Sequence, residues 1–346
     1  MTTEPAGEVA RLPWLRLLPW QMTAALSLLD RRASFPHALL LHGPRGVGKH
    51  ALALNLAQGL LCESPRADAL ACGTCIGCTL AVAGQHPDLM RIELLVIDPE
   101  EDTMELVDTI AIDRIRALTD FVQLTSHRHR AKVAVIAPAE RMNASAANAL
   151  LKTLEEPPRG TYLILVADEP GRMPLTLRSR CRKLAVPLPA PEDSLAWLEA
   201  QGVDAPELAL AQAAGAPLRA LALCDPMVQS ERRTWLAALA APERLSVLAL
   251  AMRIDAGGKD ERRARLGHAL EWIIAWTADL ARVAAGGTVR LNPDAAAPLE
   301  RLALRVAPIA LFRYHRALLQ QRAMQSHPLQ SRLVAEAMLL DYQALF

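Results

Sequence analysis

The sequence predicts an α/β fold with a parallel sheet at its core, continued by helical domains, and three observations predict it. The run Gly43-Pro44-Arg45-Gly46-Val47-Gly48-Lys49-His50 lies between an apolar stretch at 38–42 and a helix-forming stretch at 51–56. That is the strand–loop–helix context a phosphate-binding loop needs. Two further apolar runs, at 132–136 and 162–166, read as buried strands of the same sheet. Alanine is abundant and aromatics make up only 4% of the chain, which favours helix-rich structure over an all-β fold.

The elements follow in order. Ala38-Leu39-Leu40-Leu41-His42 is short and apolar enough for a strand buried on both faces. Gly43, Gly46 and Gly48 let backbone N–H groups face a phosphate, and Lys49 supplies a point charge. The next position normally carries a Ser or Thr hydroxyl for Mg²⁺. Here it is His50, and imidazole suits that hard, oxygen-preferring cation poorly. The strand Lys132-Val133-Ala134-Val135-Ile136 ends in Ala137-Pro138, where an active ATPase places an Asp for the metal and a Glu for the water; the nearest carboxylate is Glu140. Phosphoryl transfer depends on metal and positioned water. The expectation is a phosphate cradle without its metal handle, which does not turn over ATP; whether it still binds nucleotide is left open.

Four of the six cysteines, Cys62, Cys72, Cys75 and Cys78, fall in one short window with the spacing C-x9-C-x2-C-x2-C. In a reducing compartment such a cluster points to metal rather than disulfides. Two-residue gaps with Gly73 and Gly77 let successive thiolates converge, and Cys62 arrives from the end of the preceding helix. Four thiolates close a tetrahedral Zn²⁺ shell, so the site would be structural. An iron–sulfur cluster uses similar spacing, and unliganded thiols are the third possibility. Cys224 reads as a small buried hydrophobe.

Bulk properties set outer limits. With 346 residues and 52% hydrophobic content the chain buries a large core and divides into two or three domains. A formal net charge of +1 gives no global case for a dedicated nucleic-acid binder. Residues 127–132 read as an exposed basic loop, and Arg114 and Arg116 as further candidates for phosphate contact. The opening Met1-Thr2-Thr3-Glu4-Pro5 lacks a signal-peptide layout, and no run of about 18 uncharged apolar residues is present. A soluble, cytoplasmic protein with no membrane partner is expected.

Residues 143–158 form a helix by propensity, with Asn143 as N-cap and Pro157-Pro158 as its stop. Leu177-Arg178-Ser179-Arg180-Cys181 follows the third strand, ahead of a short strand around Leu184. The run N-A-L-L-K-T-L-E-E-P-P (148–158), the triplet Ser179-Arg180-Cys181 and the four-cysteine insertion after the loop helix together resemble the clamp-loader branch of the AAA+ proteins. With its degraded ATP site the chain looks like the delta-prime subunits of bacterial DNA polymerase III. The likeness covers about residues 13–190; the remainder matches in length and helical character.

That resemblance implies an AAA+ P-loop domain with its zinc module (1–186, cysteines at 62–78), a small helical lid (187–222) and an all-α collar domain (223–346). It implies an open ring of five subunits, with the tau or gamma ATPases and delta as partners, that opens a sliding clamp and places it on primed DNA. Arg180 would project into the ATP site of a neighbouring subunit, with Ser179 and Cys181 shaping its turn. The chain would be an accessory subunit of a DNA-directed DNA polymerase with no catalysis of its own. Val166-Ala167-Asp168 lacks the family's usual sensor hydroxyl, and Arg219 is a candidate second sensor. Two competing readings remain: an autonomous ATPase of the same fold, and a zinc-dependent DNA-binding module.

Overall fold

A computed structural model describes residues 16–98, 103–128, 130–323 and 330–346; the opening pentapeptide and His129 lie outside the described residues. The chain separates into two compact units, one ending at Asp193 and one running Ser194–Phe346.

The first unit begins with helix α1 (Met22–Leu29) and strand β1 (Ala38–His42), then helices α2 (Lys49–Leu61) and α3 (Ile76–Val82). Strands β2 (Leu89–Ile92), β3 (Leu95–Asp98) and β4 (Thr103–Leu106) come next, then α4 (Ile112–Gln123) and β5 (Lys132–Ile136). Helix α5 (Ala144–Glu155), β6 (Thr161–Ala167), α6 (Leu175–Arg180) and β7 (Arg182–Ala185) complete it. Five strands make a parallel sheet in the order β2-β5-β6-β1-β7, while β3 and β4 form a separate antiparallel pair. The unbroken apolar runs make sense here, because a central parallel strand buries both faces. Ala38, Leu40, Ala134, Ile136, Leu163 and Leu165 share one core with Ile115, Leu118, Leu150, Leu154 and Leu177 of α4, α5 and α6. The alternating residues Leu39, Leu41, Val133, Val135 and Ile164 are equally buried and point to the other face, where α2 packs across β1, β5 and β6. The expected strands at 38–42, 132–136 and 162–166 are all present; β2, β3 and β4 carry no comparable signal in sequence.

Two expectations are corrected. The expected exposed basic loop is shorter than 127–132: His127 and Arg130 are exposed in a turn, but Lys132 opens β5 and is 3% exposed. It lies 3.4 Å from Asp88 and over the ring of Phe121. Asp88, itself wholly buried, accepts hydrogen bonds from Ser126 Oγ and from the backbone of His127 and Arg128. Arg114 likewise donates to the carbonyl of Glu93, and Arg116 pairs with Asp113. Cys224 is half-buried, its thiol donating to the carbonyl of Ala220 at 3.2 Å.

The second unit is helical. Helices α7 (Pro191–Ala200), α8 (Pro206–Gln212) and α9 (Pro217–Leu223) surround a small core of Leu198, Ala209, Leu210, Ala220 and Leu223. A larger core is shared by α10 (Pro226–Leu239), α11 (Val247–Asp255), α12 (Lys259–Ala284), α13 (Ala296–Ala303), α14 (Pro308–Ala323) and α15 (Ser331–Gln343). Trp272 and Trp276, one turn apart on α12, are both buried. Trp276 Nε1 donates to Tyr342 Oη at 2.8 Å, which donates to the carbonyl of Leu239 at 2.7 Å, so the buried polar atoms of both rings are satisfied. No helix among the described residues is long and apolar enough to cross a membrane.

Candidate functional site

The phosphate loop leaves the carboxyl end of β1, between the ends of β6 and β7, because β1 pairs with both strands. Gly43 is required there: a Cβ would sit 2.1 Å from the carbonyl oxygen of Val186, the residue after β7. Gly48 caps α2 in the left-handed region, with φ of 91°, which glycine adopts without penalty. The N-terminal segment grips the loop from outside. Gln21, 1% exposed, donates to the carbonyls of Val47 and Gly48, and Trp20 Nε1 also donates to Val47.

Lys49 is where the loop departs from an open cradle. Its ammonium is 3% exposed and lies 2.8 Å from the carbonyl oxygen of Gly43, 2.6 Å from that of Pro44 and 2.6 Å from Asp168 Oδ1. An ammonium has three N–H donors, and three acceptors from this chain match them. Asp168 directly follows β6 and is fixed from behind: Glu140 Oε1 accepts from the backbone N–H of Asp168 at 2.9 Å and of Glu169 at 3.1 Å. Glu140, the carboxylate nearest the expected metal position, thus holds a backbone turn.

His50 meets a similar arrangement. Its Nε2 lies 3.0 Å from Glu93 Oε1, and Arg91 Nε approaches the same oxygen at 2.8 Å. Burial alone would raise the Glu93 carboxyl, but the hydrogen bond and charge of His50, with Arg91, hold it below the usual carboxylate value. A carboxylate and two basic side chains occupy the neighbourhood where a hydroxyl would hold Mg²⁺.

The cysteine module forms on its own geometry. Cys62 caps the end of α2, Cys75 is the N-cap of α3, and Cys78 lies on α3. The four Sγ atoms lie within 4.8 Å of one another, a group that could hold a metal ion. Backbone N–H groups of Cys72, Cys75 and Cys78 point at the sulfurs of Cys62, Cys72 and Cys75 at 3.3, 3.3 and 3.4 Å. Those from Cys75 and Thr74 pull the Cys72 thiol down to about 6, whereas burial raises Cys62 and Cys78. Four sulfurs, N–H donors that favour thiolate, and no carboxylate ligand fit a soft, closed shell.

Arg180 ends α6, which packs against α5 on the sheet face opposite α2. Its side chain is 36% exposed; Nε donates to Glu155 Oε1 at 2.7 Å, Nη2 contacts the same oxygen, and Nη1 donates to the carbonyl of Thr176 at 2.9 Å. Cys181 packs into the sheet core and Ser179 Oγ donates to Thr176, so both shape the helix end that carries the arginine. Arg219 sits on α9, paired with Glu271 at 3.0 Å.

The family described as "DNA polymerase III, delta subunit" matches residues 22–189. The DNA polymerase III subunit delta' of Pseudomonas aeruginosa is 44% identical over 220 residues, covering 62% of this chain and 64% of that protein. The subunit delta' of Yersinia pestis is 32% identical over 286 residues, covering 80% and 79%. This chain belongs to the DNA polymerase III delta-prime family. It is also 38% identical over 145 residues to the subunit tau of Escherichia coli, covering 42% of this chain and 20% of that protein. The match spans a little under two thirds of the Pseudomonas relative's length.

Three groups of the first unit escaped the sequence. Asp168 stood in a stretch noted only for lacking a hydroxyl, yet a carboxylate at the end of the strand beside the loop was the signal for a lysine partner. Glu155 carried no mark beyond its place in the 148–158 run, and Glu93 directly follows β2, a strand that the pattern did not reveal. The phosphate loop, the cysteine group and Arg180 occupy three separate places in the first unit rather than one cleft.

Proposed function

We propose that this chain is a non-hydrolysing, stator-like subunit of a clamp loader, which opens a sliding clamp and places it on primed DNA. Its partners are the tau or gamma ATPases and delta in a five-membered ring, and it works in the cytoplasm as an accessory subunit of the polymerase holoenzyme. The observation that carries this reading is the contrast between two cations in the first unit. Lys49 is buried and matched by Gly43, Pro44 and Asp168, whereas Arg180 stands at a helix end with its guanidinium partly exposed. A chain whose own phosphate loop is closed, but which offers an arginine outward, can stabilise charge on a phosphoryl group bound elsewhere. Arginine fingers supplied in this way contribute about 10³- to 10⁵-fold. Gly43, Gly46, Gly48 and Lys49 then serve as a fold element in place of a working nucleotide site.

Zinc is the metal this reading assigns to Cys62, Cys72, Cys75 and Cys78. The thiolates would complete a tetrahedral shell with no open position, so the ion supplies cross-linking and no chemistry. The first domain would extend to about residue 186, followed by a lid to about 222 and a collar beyond, each in support of ring assembly.

The test is the DNA- and clamp-stimulated ATPase rate of the reconstituted loader carrying either the native chain or Arg180→Ala. A fall of roughly a hundredfold with assembly intact is expected. An unchanged rate would remove the trans-acting role.

A further inference from the structure

Arg180 is not a loosely tethered surface side chain. A guanidinium carries five N–H donors in a rigid planar fork. Nε and one N–H of Nη2 lie on one side edge, which faces Glu155 Oε1; Nη1 turns one N–H to the carbonyl of Thr176 on the other side. What remains is one N–H on each terminal nitrogen, the outward pair that meets two oxygens of a phosphate at once. Glu155 and Thr176 therefore take the sides of the fork and leave its tip.

Both supports are anchored. Glu155 is the last residue of α5, which Asn143 caps through the N–H of Ala146 at 2.8 Å and whose Leu150 and Leu154 are buried in the sheet core. Thr176 lies one turn before Arg180 on α6, whose Leu177 is wholly buried in that core. The carboxylate itself is 49% exposed, and an ion pair so wet contributes little to folding. Its effect is on direction.

We infer that Glu155 is a positioning residue for Arg180: it takes the side edge of the guanidinium and aims the outward N–H pair at a phosphate held by a neighbouring subunit. This rests on the trans-acting reading of Arg180. A displacement of about 1 Å in a group that meets a transition state can cost about 10²-fold, so losing one of two supports should cost about tenfold.

The experiment is a double-mutant cycle in the reconstituted loader, with stimulated ATPase rate and KM for ATP measured for native, Glu155→Ala, Glu155→Gln, Arg180→Ala and Glu155→Ala/Arg180→Ala chains. Size-exclusion chromatography and thermal melts check assembly and folding of each. Glu155→Ala is expected to lower kcat about tenfold with KM unchanged, and Glu155→Gln, which keeps an acceptor oxygen, to lower it less. In the Arg180→Ala background the second substitution should have no further effect, because the group it aims is gone. A rate unchanged or raised by Glu155→Ala, or a tenfold loss repeated in the Arg180→Ala background, would overturn the positioning role while leaving Arg180 itself in place. An unchanged rate for Arg180→Ala would overturn both.

Discussion

Lys49 and Asp168 make an unequal pair, and the inequality can be measured. Lys49 is 3% exposed and Asp168 34%, so each substitution leaves a partner in a different surrounding. Replacing Asp168 with Asn strands a buried ammonium on two carbonyls, and an under-compensated buried charge is expensive. Replacing Lys49 with Met leaves a carboxylate that water reaches, while the methionine fills the same slot. Asp168→Asn should therefore lower unfolding free energy by about 1–3 kcal/mol, and Lys49→Met by about 1 kcal/mol or less, as read from urea titrations of the isolated chain. Equal losses would mean that the ammonium is hydrated in solution and the loop is open. The only sign of this pairing in the sequence was a carboxylate at the end of an apolar strand. Lys49 opens α2 and Asp168 follows β6, and no periodic pattern links them; only the pairing of β1 with β6 does. The cysteine group, by contrast, was legible residue by residue, because its ligands lie close in sequence and a soft metal leaves few alternatives.

At the level of elements, apolar runs revealed β1, β5 and β6 because each is buried on both faces. Strand β2 was missed because Leu89, Met90 and Arg91 are only half-buried at the sheet edge, where the continuous apolar signature fades. The same region hides a connection between the cysteine module and the segment before β5. Glu63 follows Cys62 directly; its carboxylate pairs with Arg128 and its carbonyl accepts from Arg130 at 2.6 Å. A metal that fixes Cys62 thereby fixes the anchor for residues 126–130. Metal analysis should give about one zinc per chain, with no iron. Stripping it with a strong chelator should make tryptic cleavage after Arg128 and Arg130 at least several-fold faster, with β5 still protected from amide exchange. If chelation leaves the cleavage rate unchanged, the module and the segment are independent.

On the scale of the whole molecule, charge decides between clamp-loader subunit and autonomous DNA binder. The chain carries 38 Lys and Arg against 37 Asp and Glu, so any strong DNA affinity would need basic groups gathered and unspent on one face. Most of the basic residues singled out from the sequence instead have partners within the chain, Arg116 in a solvent-exposed pair. Arg128 and Arg130 hold Glu63, Lys132 is buried beside Asp88, Arg114 donates to Glu93, and Arg116 pairs with Asp113. Each phosphate neutralised by a protein contributes about −0.9 to the slope of log affinity against log salt. With at most about two such contacts available from these residues, duplex affinity of the isolated chain should change no more than about tenfold between 50 and 200 mM salt. Fluorescence anisotropy with a labelled primed template reads this directly. Shallow, weak binding is expected; on the reading proposed above, DNA is gripped by the assembled ring and not by this chain alone. A slope of about −6 or steeper for the chain alone would instead mean that a basic surface elsewhere on the molecule binds DNA by itself. The chain would then have to be regarded as a DNA-binding subunit in its own right, beyond the stator role proposed above.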